Sequence, residues 1–344
     1  MKQLIFIRVL VLAVLTVLLY FAIDILVPVL ISFVLFYILN PLVEALSNRR
    51  PKGAGLNRTF SVAAAIVVFF LAILLVLRFV VPPLAVEFGR LSENMPQYIT
   101  ALKEALGSAQ EWYRGFKLPP QVNRVIGNSA ENIVKYMVSF AQGSAEKLAS
   151  MLSQFLNLII IPIITFFLLR DKELIKKGFI SFLPKNHRKR ADGILAKIDS
   201  SMRNYFKGVF LLCIIVGIMV GASMYLLGLK YFMLLGVIAA ITEFIPIIGP
   251  FIAAVPAVIL AFLNSAALAF SVIIVYIAVQ TLENLVIVPK IMGDKLKLHP
   301  LTILIAMLVF GKLLGAWGLF IAAPVTAVLK ILYEQLLKQQ NSRA

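Results

Sequence analysis

A few ionisable and amide side chains stand inside apolar stretches of this chain, and chemistry could be done there. Glu243 precedes a break formed by Pro246, Gly249 and Pro250. Gln280, Glu283 and Asn284 follow at spacings of three and four, so a helix puts them on one face. Lys312 lies among Gly311, Gly315 and Gly318, ahead of Pro324. A charged group at mid-bilayer costs roughly 2.5–3.5 kcal/mol on insertion scales, so it is paired, protonated or functional. A carboxylate can carry a proton or hold a sodium ion. Broken helices add free backbone groups that bind ions or polar solutes. The plainer alternative is that Glu243 and Glu283 pair with Lys312, or cap backbone groups, within a bundle. Other chemistries lack residues. His187 and His299 are isolated in basic loops, and Cys213 is the single cysteine. Neither metal-ligand spacing nor a phosphate loop nor a nucleophile elbow occurs. The expectation is no enzyme, no cofactor, no metal ligand and no intramolecular disulfide.

The elements that hold these groups follow from composition. Of 344 residues, 61% are apolar and 14% charged, against about 45–50% and about 25% in an average globular domain. That excludes a soluble domain, a disordered chain, collagen and a disulfide scaffold, and leaves a multispan membrane protein. The net charge of +17 comes from 33 basic and 16 acidic residues. It fits loops facing anionic lipid better than nucleic acid, which is not expected as a partner.

A span needs about 20 apolar residues. Such runs occur at 4–23, 25–43, 60–81, 151–169, 209–227 and 265–288. The first is read as a retained span, not a signal peptide. Pro82 and Pro83 should end the third span. Gly217 and Gly221 form a small-residue pair suited to close helix packing. Arg49, Arg50, Lys52 and Arg58 against Glu44 mark a cytoplasmic loop, as do 11 basic and 4 acidic residues within 170–207. Segment 83–147, with 7 basic and 6 acidic residues, then lies outside. Its periodicity predicts amphipathic helices, the first broken at Pro96, that pack together, brace the membrane surface or make oligomer contacts. Another amphipathic helix is expected around 194–206, along the inner surface.

The last third is different. Stretch 231–263 would be about 50 Å as one helix, too long for a hydrocarbon core of roughly 30 Å, and Pro246 and Pro250 break it. Two half-helices of about 15 residues would fit as a re-entrant hairpin. Stretch 300–333 repeats the pattern. Gly-Pro-Phe-Ile-Ala-Ala at 249–254 matches Gly-Leu-Phe-Ile-Ala-Ala at 318–323 in five of six positions. One span lies between the two stretches, so the hairpins would enter from opposite faces as an inverted repeat. A rival reading makes each stretch a full crossing. Lys290, Lys295 and Lys297 against Asp294 favour hairpins by the positive-inside rule.

Four stretches carry a resemblance. They are TEFIPIIGPFIAAVPAVI at 242–259, QTLENLVIVPKIMGDKLKLHPL at 280–301, GKLLGAWGLFIAAPVTAVLK at 311–330 and FLPKNHRKR at 182–190. In order and spacing they resemble the autoinducer-2 exporter (AI-2E) family of bacterial membrane proteins, over nearly the whole chain. Val209 departs from it, where a polar residue is usual. The resemblance implies movement of small solutes out of bacterial cells. Some members look like exporters of autoinducer-2, others like sodium or lithium/proton antiporters, and others are linked to sporulation. It also implies a homo-oligomer, a pentamer by expectation.

The reading is an all-α polytopic membrane protein with about six full transmembrane helices, two oppositely oriented re-entrant hairpins (alternatively eight spans) and an external amphipathic segment. Its parts are a scaffold of three spans (1–82), an extracytoplasmic segment (83–150), a fourth span (151–169), a cytoplasmic linker (170–207), a transport unit (208–335) and a tail (336–344). It would sit in the bacterial cytoplasmic (inner) membrane with both termini inside, as a secondary transporter of a small polar solute. Substrate would bind near Pro246–Pro250 and Gly311–Gly318, with Gln280, Glu283 and Asn284 supplying polar contacts. Partners would be the solute, H+ or Na+, anionic lipids and further copies of the chain. A passive channel and a non-transporting scaffold are the alternatives.

Overall fold

The computed structural model describes residues 23–47, 57–114, 155–292 and 299–341. Outside them lie the first expected span but for its last residue (4–22), Arg49, Arg50 and Lys52, the second amphipathic stretch of the external segment, the start of the expected fourth span (151–154), and Asp294, Lys295 and Lys297. The described residues are almost all helical, joined by short turns. In order they form α1 (Ile23–Ser47), α2 (Arg58–Arg114), α3 (Phe155–Arg170), α4 (Lys172–Ser181), α5 (Lys185–Leu226), α6 (Phe232–Thr242), α7 (Gly249–Phe262) and α8 (Ala266–Leu282). A π-helical turn (Glu283–Ile287), α9 (Val288–Met292), α10 (Pro300–Leu314) and α11 (Ala316–Asn341) complete them. The protein is an all-α polytopic membrane protein. Among the described residues five helices are long and apolar enough to cross a bilayer: Val27–Ser47, Arg58–Ala101, Lys185–Leu226, Ala266–Ile291 and Ala316–Gln335.

Three expected breaks are absent. Helix α2 runs 57 residues through Pro82, Pro83 and Pro96. Its length, about 86 Å, exceeds any hydrocarbon core. Leu91 and Met95 are both 5% exposed, and Tyr98 and Ile99 pack on the same core. Contacts on both sides of Pro96 thus hold the helix through a residue that locally disfavours it. Likewise, the amphipathic helix expected around 194–206 and the span at 209–227 are one helix, α5, of 42 residues. No proline interrupts it.

The chain divides into two compact units. One contains 1–72, 156–211 and 288–344. Here α1 and α3 pack through small polar residues: Ser32 Oγ donates to the Ile161 carbonyl at 3.1 Å, and Thr165 Oγ1 donates to it at 2.8 Å. Arg58 caps the C-terminal end of α3, its Nε and Nη2 donating to the Leu169 carbonyl at 3.0 and 2.9 Å. Glu44, Lys172, Asp199 and Arg203 make an ion-pair cluster tying α1, α4 and α5, with Arg203–Glu44 at 2.9 Å and Lys172–Asp199 at 3.1 Å. The second interrupted stretch also lies here, as α10 and α11. Its break is Gly315, at φ 60° and ψ −139°, a conformation only glycine takes freely. Pro324, by contrast, lies within α11.

The other unit contains 73–155 and 212–287. Helices α6 and α7, of 11 and 14 residues, form the first broken pair, about 16 and 21 Å long. Pro250 does not break a helix. It occupies the first turn of α7, where its missing N–H is harmless. The expected glycine packing is present. A methyl group on Gly217 would meet Ala240 Cβ at 2.7 Å, and one on Gly236 would meet the Gly217 carbonyl at 2.8 Å. Helices α5 and α6 therefore touch backbone to backbone.

Candidate functional site

The broken pair α6–α7 places Glu243. Helix α6 ends because Pro246 cannot donate to the carbonyl four residues back, and the chain then turns through Ile247 at φ 69°, left-handed for a β-branched residue. The turn returns tightly. A side chain on Gly249 would strike the Thr242 carbonyl at the end of α6. Glu243 occupies the C-cap of α6 and is 7% exposed. Its Oε2 is buried with no hydrogen-bond partner among the described residues.

Helix α8 places the second carboxyl. Ala269, Val272, Val279 and Glu283 form its buried stripe. Ser265 caps its start by accepting from the Leu268 amide at 3.1 Å, and Tyr276 ties it to α7 by donating to the Ala253 carbonyl at 3.1 Å. Glu283 is 6% exposed and opens a π-helical turn. Such turns recur at functional sites because they disturb the regular backbone pairing. Gln280 Nε2 donates to Glu283 Oε2 at 3.2 Å. The Glu243 and Glu283 carboxyls are within hydrogen-bonding reach of each other. Ionised carboxylates only accept, so a hydrogen bond between the two would require one of them to hold a proton. The thiol of Cys213, on α5, is within electrostatic range of both.

Of the residues singled out in the sequence, Glu243, Gln280 and Glu283 come together. Asn284 does not join them. It is exposed, because i+4 from Gln280 steps off the stripe that buries Glu283. Pro246 and Gly249 shape the turn, and Pro250 starts the next helix. Gly311, Lys312, Gly315, Gly318 and Pro324 belong to the other unit. There Gly311 faces Leu319 closely, and a side chain on Gly318 would strike the Phe310 carbonyl. Lys312 is exposed in the last turn of α10 and joins no ion pair among the described residues. Pro324 is buried.

One residue escaped the sequence reading. Glu87 of α2 is 8% exposed and accepts from the amides of Leu234 at 2.7 Å and Met233 at 3.3 Å, capping the free N-terminus of α6. Beside it Tyr98 and Tyr231 share a hydrogen bond of 3.1 Å. The only signal was a carboxylate amid the apolar periodicity of α2, which a solvent-facing residue gives equally.

A family model described as AI-2E family transporter matches residues 9–338. The chain belongs to the AI-2E transporter family. YrrI of Bacillus subtilis is 33% identical over 319 residues, covering 92% of this chain and 87% of that one. YueF of the same organism is 30% identical, covering 92% and 86%. PerM of Escherichia coli is 30% identical over 315 residues, covering 90% and 87%. The first two are provisionally named transport proteins and the third a permease. AI-2E proteins form a transporter family, not an enzyme family, and this member is a multi-pass membrane transporter.

Proposed function

We propose that this AI-2E protein is a secondary transporter of the bacterial inner membrane, with both termini cytoplasmic, that couples the movement of a small solute to the Glu243–Glu283 pair by alternating access. The observation that carries this is the buried pair itself. Two buried carboxyls lie close together, one of them with an oxygen that has no hydrogen-bond partner among the described residues, at the negative end of a helix dipole. Such a place holds a proton or a cation and rejects an anion.

Two readings share this site. In export of a neutral polar solute, such as autoinducer-2, the pair carries the coupling proton. In Na+ (Li+)/H+ antiport, the pair exchanges its proton for the metal cation. Deprotonated, the two carboxyls offer only acceptor oxygens, as a hard metal cation requires, which favours the second. A passive channel would carry flux that is neither saturable nor coupled to a gradient, and a scaffold none.

Flux in proteoliposomes tests the proposal. Wild type should dissipate an imposed pH gradient on addition of Na+, Li+ or the exported solute. E243Q and E283Q should each lower that coupled flux by about tenfold or more, equivalent to ~1.4 kcal/mol. Full, still-coupled flux in both variants would refute the carboxyl pair as the coupling element.

A further inference from the structure

Helix α4 has an apolar face that the described residues leave largely uncovered. Stepping by 100° per residue, Leu174, Ile175 and Phe179 share one side of the helix with Phe182 and Leu183 of the following turn, while Lys177 and Glu173 lie opposite. None of its ten residues is buried. Phe182 is 89% exposed, Leu174 70% and Phe179 67%. The helix is too short and too charged to cross a bilayer, yet it follows α3 after a single residue.

The charge around that face is one-sided. Segment 170–207 has 11 basic and 4 acidic residues. Three of the four acids are taken within the fold: Asp171 by Arg170 at 2.8 Å, Asp192 by Lys176 at 2.7 Å, and Asp199 by Lys172 and Arg203 at 3.1 Å. The hydrogen bond from Arg170 holds Asp171 below the usual carboxylate range, so this pair is closed at neutral pH. Lys177, Lys185 and Lys189 are exposed and join no ion pair among the described residues. Arg170 also lies over the rings of Phe166 and Phe167, at 5.4 and 4.7 Å, where an apolar helix meets a polar boundary. Apolar face, aromatic edge and unpaired lysines together make the pattern of a helix lying in the headgroup plane.

We propose that α4 and the turn after it dock on an anionic lipid leaflet, with Leu174, Phe179 and Phe182 among the upper acyl chains and Lys177, Lys185 and Lys189 against headgroup phosphates. This surface is independent of the carboxyl site. It predicts that the full-length protein retains anionic phospholipid at the foot of α3.

Single-tryptophan fluorescence tests it. In a W112F/W317F background, F182W, or F179W should the first variant fold poorly, is reconstituted into vesicles of phosphatidylglycerol or of phosphatidylcholine. Emission should be blue-shifted, and lipids brominated near the top of the chain should quench it about twofold or more. Adding K177Q, K185Q and K189Q should weaken retention of phosphatidylglycerol relative to phosphatidylcholine, by about fivefold per removed charge at most. Water-like, unquenched emission overturns the proposal. Blue-shifted emission without bromine quenching also overturns it and assigns the face to a protein contact. Quenching that is equal in both lipids and indifferent to the lysines overturns the anionic headgroup site.

Discussion

Glu87 and Glu243 stand at opposite ends of one short helix and do opposite things to it. Glu87 meets the positive end of α6 and satisfies two free amides, which stabilises the helix. Glu243 meets the negative end, where a bare carboxylate repels the helix dipole. A stabilising cap at one end thus offsets an unfavourable group at the other, which fits a residue kept for function. Glu87→Ala should lower stability by about 1–2 kcal/mol, the usual cost of a lost N-cap. Glu87→Gln, which keeps an acceptor, should lose less. Thermal unfolding of the detergent-solubilised protein reads both. Sequence alone located Glu243, Gln280 and Glu283, because polar groups in apolar runs are conspicuous. It could not locate Glu87, whose partners lie about 146 positions along the chain, nor foresee that Asn284 falls off the buried stripe.

The two broken elements share a backbone device. Gly249 and Gly318 head the matching hexapeptides, and each lets a returning helix touch a carbonyl of the helix before it: Thr242 in one case and Phe310 in the other. The sequence repeat is therefore also a structural one. Gly249→Ala and Gly318→Ala should each destabilise by about 1–3 kcal/mol through overpacking. Gly89→Ala, where nothing lies within 4 Å, should be neutral or stabilising by up to about 1 kcal/mol. Comparing the three melting curves checks this; equal behaviour at all three sites would remove the device. The match has limits. Helices α6 and α7 have 11 and 14 residues, but α10 and α11 have 15 and 26. The interruption pattern was legible because glycine and proline punctuate locally. The uninterrupted α2 was not, because packing around Leu91, Met95 and Tyr98 outweighs Pro96.

For the whole molecule, the all-α membrane architecture followed from composition and from the length and periodicity of the apolar runs, and family membership agrees with the motifs of the C-terminal third. What composition could not supply is motion. Alternating access requires that the carboxyl pair be reached from each side of the membrane in turn. The chain contains its own reporter of this, since the single cysteine, Cys213, is buried within electrostatic range of both carboxyls. The decisive measurement is the reaction of Cys213 with a small impermeant thiol reagent, applied to one face or the other of oriented proteoliposomes. The account predicts labelling from both faces, with the ratio of the two rates shifting severalfold when the pH gradient is reversed. Labelling from one face only, at a rate indifferent to the gradient, would contradict it.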